Sequence, residues 1–218
     1  MKFTSILNLM LITTMLLSCG NEKSENNNDD MASNETISFN YNLEQFADIK
    51  VLRYQIPGWE KLTLKEQKLV YYLVQAGLSG RDIMWDQNYR YNLEIRNSLE
   101  NIYRNYNGDK TSTEWLSFEV YLKRLWFSNG IHHHYSNAKI KPGFNSNFLL
   151  SLLTDTNTIL SDEAIDVIFN DFDSKKVDIS KGVDNVLLSA VNFYGPDVTS
   201  KDVYDFYSKV KSPDPLKP

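Results

Sequence analysis

Thr111-Ser-Thr-Glu-Trp-Leu-Ser-Phe-Glu-Val-Tyr-Leu-Lys-Arg-Leu-Trp126 decides the class of fold. Thr111 and Glu114 stand three apart, the spacing of a capping box. In that arrangement the hydroxyl accepts a backbone N–H from the first helical turn and the carboxylate accepts the cap's own N–H. Behind it Phe118, Tyr121, Leu122, Leu125 and Trp126 recur at three and four residues, the period that gathers side chains on one face of an α-helix. With Trp115 and Phe127 the run could pass for an aromatic ligand box, but helical spacing assigns it to the core.

The same grammar repeats outward from this helix. Upstream, after the loop Asn105-Tyr-Asn-Gly-Asp109, the segment Ile83–Tyr103 places Tyr91, Ile95, Leu99 and Ile102 on one face and leaves Arg90, Glu94 and Arg96 for solvent. It predicts one long helix. Thr63 and Glu66 form another capping box, and Leu69, Leu73 and Ala76 continue a helix over about 63–79, loosened at Gly77 and Gly80. Residues 39–59 mix β-branched and aromatic side chains and turn at Ile56-Pro57-Gly58, where proline fixes its own φ and disfavours helix before it. They read as extended or irregular.

Downstream, residues 128–147 contain Gly130, Pro142 and Gly143 without a sustained period, a long connection of the kind that often carries function. Short helices follow at Phe148–Leu153 and Val186–Phe193. Ser161 caps a helix bearing Ile165, Ile168, Phe169 and Phe172, and Thr199 with Asp202 caps one bearing Val203, Phe206, Tyr207 and Val210. No repeat period links these segments. The expected fold is mainly α, an irregular multi-helix body with little strand over residues 38–211.

Of the 218 residues, 42% are hydrophobic, 13% aromatic and 23% charged, a globular composition. A net charge of -5 supplies no basic field for a phosphate backbone, so no nucleic-acid partner is expected. The single cysteine excludes an internal disulfide, and with three histidines leaves little material for a zinc site. That cysteine has another reading. Lys2 and the apolar run Ile6–Leu17 form an export signal over residues 1–18, ending in Leu16-Leu17-Ser18-Cys19, which resembles the bacterial lipobox. The resemblance implies that Cys19 is acylated and becomes the new N-terminus. Residues 19–37 are too polar to order themselves and read as a flexible tether with a short acidic stretch; residues 212–218 are a Pro-rich connector. The expected location is the bacterial cell envelope, lipid-anchored at the outer membrane on its periplasmic or surface side.

His132-His133-His134 invites a metal, yet consecutive side chains of an extended chain alternate in direction, so at most two can turn to one ion. No His-Glu-x-x-His, no cysteine cluster and no helical carboxylate three or four residues from a histidine completes a ligand set. A loop-building role is the stronger reading, with one histidine lining a substrate cleft as the other. Gly-x-Ser-x-Gly is absent, and Gly77-Leu-Ser-Gly80 lacks the spacing of a phosphate cradle. Asp171 and Asp173 form an acid pair that reads as a solvated helix end before it reads as a general acid–base couple.

Two stretches carry a resemblance. Phe46-Ala-Asp-Ile-Lys-Val-Leu-Arg-Tyr-Gln-Ile-Pro-Gly-Trp59, running on to Ile83, and Tyr121-Leu-Lys-Arg-Leu-Trp-Phe-Ser-Asn-Gly-Ile-His-His-His-Tyr135 with Lys139-Ile-Lys-Pro-Gly-Phe144 resemble the N-terminal part of bacterial dipeptidyl peptidase III. The resemblance covers residues 39–211. It implies a section of a two-lobed zinc exopeptidase that releases dipeptides from the N-termini of short peptides. In that family the zinc sits in the later lobe, held by His-Glu-x-x-Gly-His and a downstream glutamate, and the glutamate of the first motif activates the metal-bound water. Neither motif occurs in this sequence, so no catalytic residue and no zinc ligand is expected in the chain. A family member continues for several hundred residues beyond the Pro-rich connector.

The resemblance implies that Tyr135 lines a subsite for the peptide's N-terminal residues. Asn129 either meets the peptide backbone there or caps the preceding helix. The expected partners are a peptide substrate, engaged together with the missing catalytic lobe, and the membrane through the lipid. The alternative is a free-standing helical lipoprotein that binds peptides or a protein partner without hydrolysis. A section cut from a two-lobed enzyme should also leave apolar surface uncovered. Cys19→Ala is expected to move the protein from the detergent-soluble membrane fraction to the soluble fraction, or to leave it unprocessed; unchanged fractionation would refute the lipobox.

Overall fold

In the computed structural model, which describes residues 39–210, helices dominate and the strand content is one small hairpin. The signal, Cys19, the tether and the 212–218 connector lie outside the described residues. Strands β1 (Asn42–Phe46) and β2 (Ile49–Leu52) pair antiparallel, turning at Ala47 in the left-handed region. This is the stretch read as extended. A single 3-10 turn, Trp59–Lys61, leads into α1 (Leu64–Ser79), whose capping box forms as read: Thr63 Oγ1 accepts from Glu66 N at 3.3 Å and Thr63 N donates to Glu66 Oε2 at 2.8 Å. Then come α2 (Arg81–Asn88), α3 (Asn92–Asn105), α4 (Thr113–Ser128), α5 (Ser146–Asp155), α6 (Asp162–Phe169), the single turn α7 (Asn185–Leu188) and α8 (Ser200–Val210).

The core lies among α3, α4, α5 and α6. Ile95, Leu99 and Ile102 of α3 meet Phe118, Leu122 and Leu125 of α4, with Leu149 and Leu152 of α5 and Ile168 of α6 completing the cluster. Each such side chain contributes about 1.5–3 kcal/mol when taken fully out of water. The stripe read on α4 is therefore core, with two corrections. Trp126 is only partly buried, because its Nε1 donates to Glu100 at 3.0 Å, and Phe127 points to solvent.

Several local expectations fail for identifiable reasons. The long helix over Ile83–Tyr103 breaks at residues 89–91, where Tyr89 is extended (φ -171°, ψ 140°) and Asn92, not Tyr91, starts the buried face. Arg96 is not free for solvent: it pairs with Asp82 at 2.8 Å and lies over Trp85. Glu94 likewise turns inward to accept from Ser161 N at 2.7 Å. The cap of α4 is Ser112, one residue after Thr111, because Thr111 is engaged by Asp109 through both its N–H and its hydroxyl. The helix expected at Val186–Phe193 stops at Leu188, since Ala190 and Val191 donate to the carbonyls of Lys175 and Lys176 and so run extended. Phe172 falls beyond α6 and is exposed.

Helix α1 has no buried residue. Leu69 is 57% exposed, Tyr72 67% and Leu73 61%, and Ile83 and Met84 of α2 extend the apolar surface. A helix apolar on every side belongs in an interior, whereas α8, also without a buried residue, exposes a single apolar face that includes Phe206 and Tyr207. Among the described residues apolar surface is thus left uncovered on α1, α2 and α8. Replacing Leu69 and Leu73 together by Lys is expected to lower hydrophobic-dye fluorescence and self-association while changing unfolding stability by no more than about 1 kcal/mol. Leu99→Ala, in the core, is expected to lose about 2–5 kcal/mol. A large stability loss in the double variant would show that α1 is packed after all.

Candidate functional site

The long connection after α4 is pinned at its start by one buried amide. Asn129 ends α4 in the left-handed conformation (φ 55°, ψ 44°), which asparagine tolerates, and its N–H and that of Gly130 both donate to Leu125 O. Gly130 follows at φ 146°, and a Cβ there would fall 2.2 Å from Asn92 Nδ2. Only glycine permits this approach. Fully buried, Asn92 accepts from Ile131 N and donates to Trp85 O, both at 3.1 Å, while Asn88 Nδ2 donates to Asn129 O at 3.1 Å. The α2–α3 break and the end of α4 are thereby locked together.

From this anchor the chain doubles back. Ile140 N donates to Ile131 O and His133 N to Ala138 O, each at 2.7 Å, with His132 facing Lys139 across the pair and Asn137 left-handed at the turn. His132 points inward, 2% exposed, edge-on to Tyr89, with Nε2 3.3 Å from Ser174 Oγ and Nδ1 buried without a partner. Burial pushes its pKa down to about 4. Lys139 is buried as well. Its Nζ donates to Asn170 O at 2.6 Å and Asn170 Oδ1 at 2.7 Å, at the C-terminal end of α6 where the helix dipole favours a cation, though burial draws its pKa below the usual lysine value.

The outward half of the hairpin is aromatic. His133 Nδ1 accepts the N–H groups of Tyr135 and Ser136 at 3.2 and 3.1 Å, which holds the turn closed. The His134 ring lies edge-on to Phe127 at 4.6 Å and 4.2 Å from Tyr135, measured between centroids. Tyr135 projects at the tip, 84% exposed. The three histidines thus have three separate tasks, and no group of histidine, cysteine and acidic side chains among the described residues could hold a metal ion.

Of the two residues singled out in the sequence, Tyr135 is exposed at the tip against the His134 ring and Asn129 is the cap of α4. The acid pair is not a catalytic couple: Asp171 is fully exposed, 3.8 Å from Lys141, whereas Asp173 accepts from Lys139 N at 3.2 Å and from Lys175 Nζ. The bond from Lys175, opposed by slight burial and joined by the Lys139 N–H, holds the Asp173 carboxyl below the usual range. Sequence reading missed Asn92, Lys139 and Phe127. The available signal for Asn92 was a polar residue three before Ile95 on the buried face, and for Lys139 its place opposite a histidine run.

No family model matches the chain, and no curated protein matches it.

A histidine titrates near 6.5 in an unfolded chain. Between pH 6.5 and 4 the unfolded state binds a proton that buried His132 refuses, so its contribution to stability is complete above that window and is lost as pH falls through it, by about 3 kcal/mol in all. Denaturant unfolding at successive pH values is expected to show this decline, and His132→Phe to flatten most of it. A wild-type protein equally stable at pH 6.5 and 4.5 would contradict the assignment.

Proposed function

We propose that the chain is the N-terminal, substrate-contacting section of a dipeptidyl peptidase III-like zinc exopeptidase, held at the cell envelope through Cys19. The observation that carries this reading is the pinned hairpin. Buried polar groups fix its base, and its tip presents Tyr135 to solvent beside His134 and Phe127. An exposed aromatic cluster on a rigid base suits the side chains of a bound peptide, because the rings bury large area and lose little freedom on binding. Its position in the sequence is where the resemblance puts a subsite for the peptide's N-terminal residues.

The residues present do not fit zinc. His132 is engaged with Ser174 and Tyr89, His133 with its own turn and His134 with Phe127, and no carboxylate joins them in a metal-holding group among the described residues. On this reading the metal and the water it activates would be held outside these side chains, and no hydrolytic step is assigned to them. The uncovered surface of α1 favours a section that meets further polypeptide over a complete module. The core closed among α3–α6 favours the second reading, an independent peptide-binding lipoprotein without catalysis. Among the described residues no helix is long and apolar enough to cross a membrane.

Residues 20–218 are expected to bind no stoichiometric zinc and to release no dipeptide from arylamide substrates. Peptide binding measured calorimetrically is expected to weaken about tenfold, or ~1.4 kcal/mol, in Tyr135→Ala with the unfolding midpoint unchanged. One equivalent of zinc retained after dialysis, with hydrolysis abolished by a chelator, would overturn the reading; so would peptide affinity indifferent to Tyr135→Ala.

A further inference from the structure

The outer face of α4 carries chemistry that the hairpin does not use. Leu116, Ser117, Val120 and Arg124 recur three and four residues apart and so share one side of the helix, and with Lys141 and Gly143 they line an open groove of about 420 Å³. Gly143 brings the backbone against α4: a Cβ there would lie 3.4 Å from Ser117 Cβ. Leu116 and Val120 make an apolar wall. Arg124 and Lys141 bring two cations, and no carboxylate lines the groove.

Both cations have donors to spare. Arg124 is bonded to Asp48 through one Nη, out of five N–H donors that a guanidinium carries. Lys141 Nζ stands 3.8 Å from Asp171, beyond hydrogen-bond length, and Asp171 is fully exposed. Neither acid lines the groove. Two incompletely paired cations beside an aliphatic wall match an anion on an apolar stem, and a planar carboxylate suits the forked donors of arginine. A volume of this size accommodates a small ligand. A bare phosphate would leave Leu116 and Val120 unused.

We propose that this groove is a carboxylate subsite that takes the C-terminal carboxylate of a short peptide ending in an aliphatic residue. That a peptide is the source rests on the proposed function; the carboxylate chemistry does not. Phe127 lies three residues beyond Arg124, on the next turn of the same face, so the groove adjoins the aromatic hairpin along α4.

The test is titration of the purified protein with N-acetyl-leucine, N-acetyl-leucinamide and inorganic phosphate, followed by amide chemical shifts, and then with a leucine-terminated peptide as acid and as amide. The acid is expected to shift signals of residues 116–124 and 141–143 and to bind at least about tenfold more tightly than its amide. Lys141→Gln, at an exposed position that leaves the Arg124–Asp48 contact intact, is expected to weaken the acid several-fold without altering the fold; Arg124→Gln should do so more strongly. Equal binding of acid and amide, no shifts in these segments, indifference to Lys141→Gln, or phosphate binding as well as the acid would each overturn the subsite. N-acetyl-leucine binding in the groove together with peptide affinity indifferent to Tyr135→Ala would leave the subsite standing and remove the peptidase reading. Peptide binding sensitive to Tyr135→Ala but blind to amidation would do the reverse.

Discussion

Everything around the hairpin depends on one fully buried side-chain amide. Asn92 has to enter a core lined by Ile95 and Leu99, and it can do so because its carbonyl receives Ile131 N and its NH₂ serves Trp85 O. A buried amide left unpaired would cost about 1–3 kcal/mol for each unsatisfied group, so the backbone is arranged to meet it. The helix that would otherwise run from α2 through α3 stops at Tyr89, where Trp85 O takes the Asn92 amide as well as Tyr89 N, and the chain after α4 passes close enough that only Gly130 fits. The direction in which residues 131–140 leave the core follows from those two adjustments.

How legible this was depends on the range of the determining interaction. The capping boxes at Thr63 and Thr199, the stripe of α4 as far as Leu125 and the mainly α class depend on residues within four positions of each other, and they stand as read. The errors cluster where a distant group competes. Ile131, 39 residues from Asn92, bonds that amide just after the break at Tyr89; Lys175 and Lys176 end α7 early; Ser161, 67 residues away, claims Glu94. The α4 cap was misplaced by one residue because two adjacent hydroxyls could serve and the choice was made by Asp109. At the site, Tyr135 was singled out only by the family resemblance, and its supports were not seen at all, since a buried lysine and a buried asparagine look like surface residues until their partners are known.

Stability is unevenly distributed over this body. Between α3 and α6 the apolar packing is dense, while α1 and α8 have no buried residue. Propensity alone holds isolated helices of 16 and 11 residues only marginally in water. These helices are therefore the ones whose order depends most on contact with other polypeptide, and the β1–β2 hairpin, fastened to α4 by Lys123–Glu44 and Arg124–Asp48, stands between the two extremes.

The division of labour within the hairpin bears on how such a protein can change over generations. Ile131, His132 and Lys139 face the interior and are tied to α3, Ser174 and the end of α6, so few replacements preserve the fold there. At the tip, Tyr135 gives its backbone N–H to the turn and most of its side chain to solvent, whereas Ser136 Oγ also accepts Ala138 N at 3.5 Å. What the turn asks of position 135 is a backbone N–H, whatever the side chain. Selection can therefore exchange the side chain at that position and alter what is recognised there while the framework drifts hardly at all, a separation that lets new specificity arise one substitution at a time.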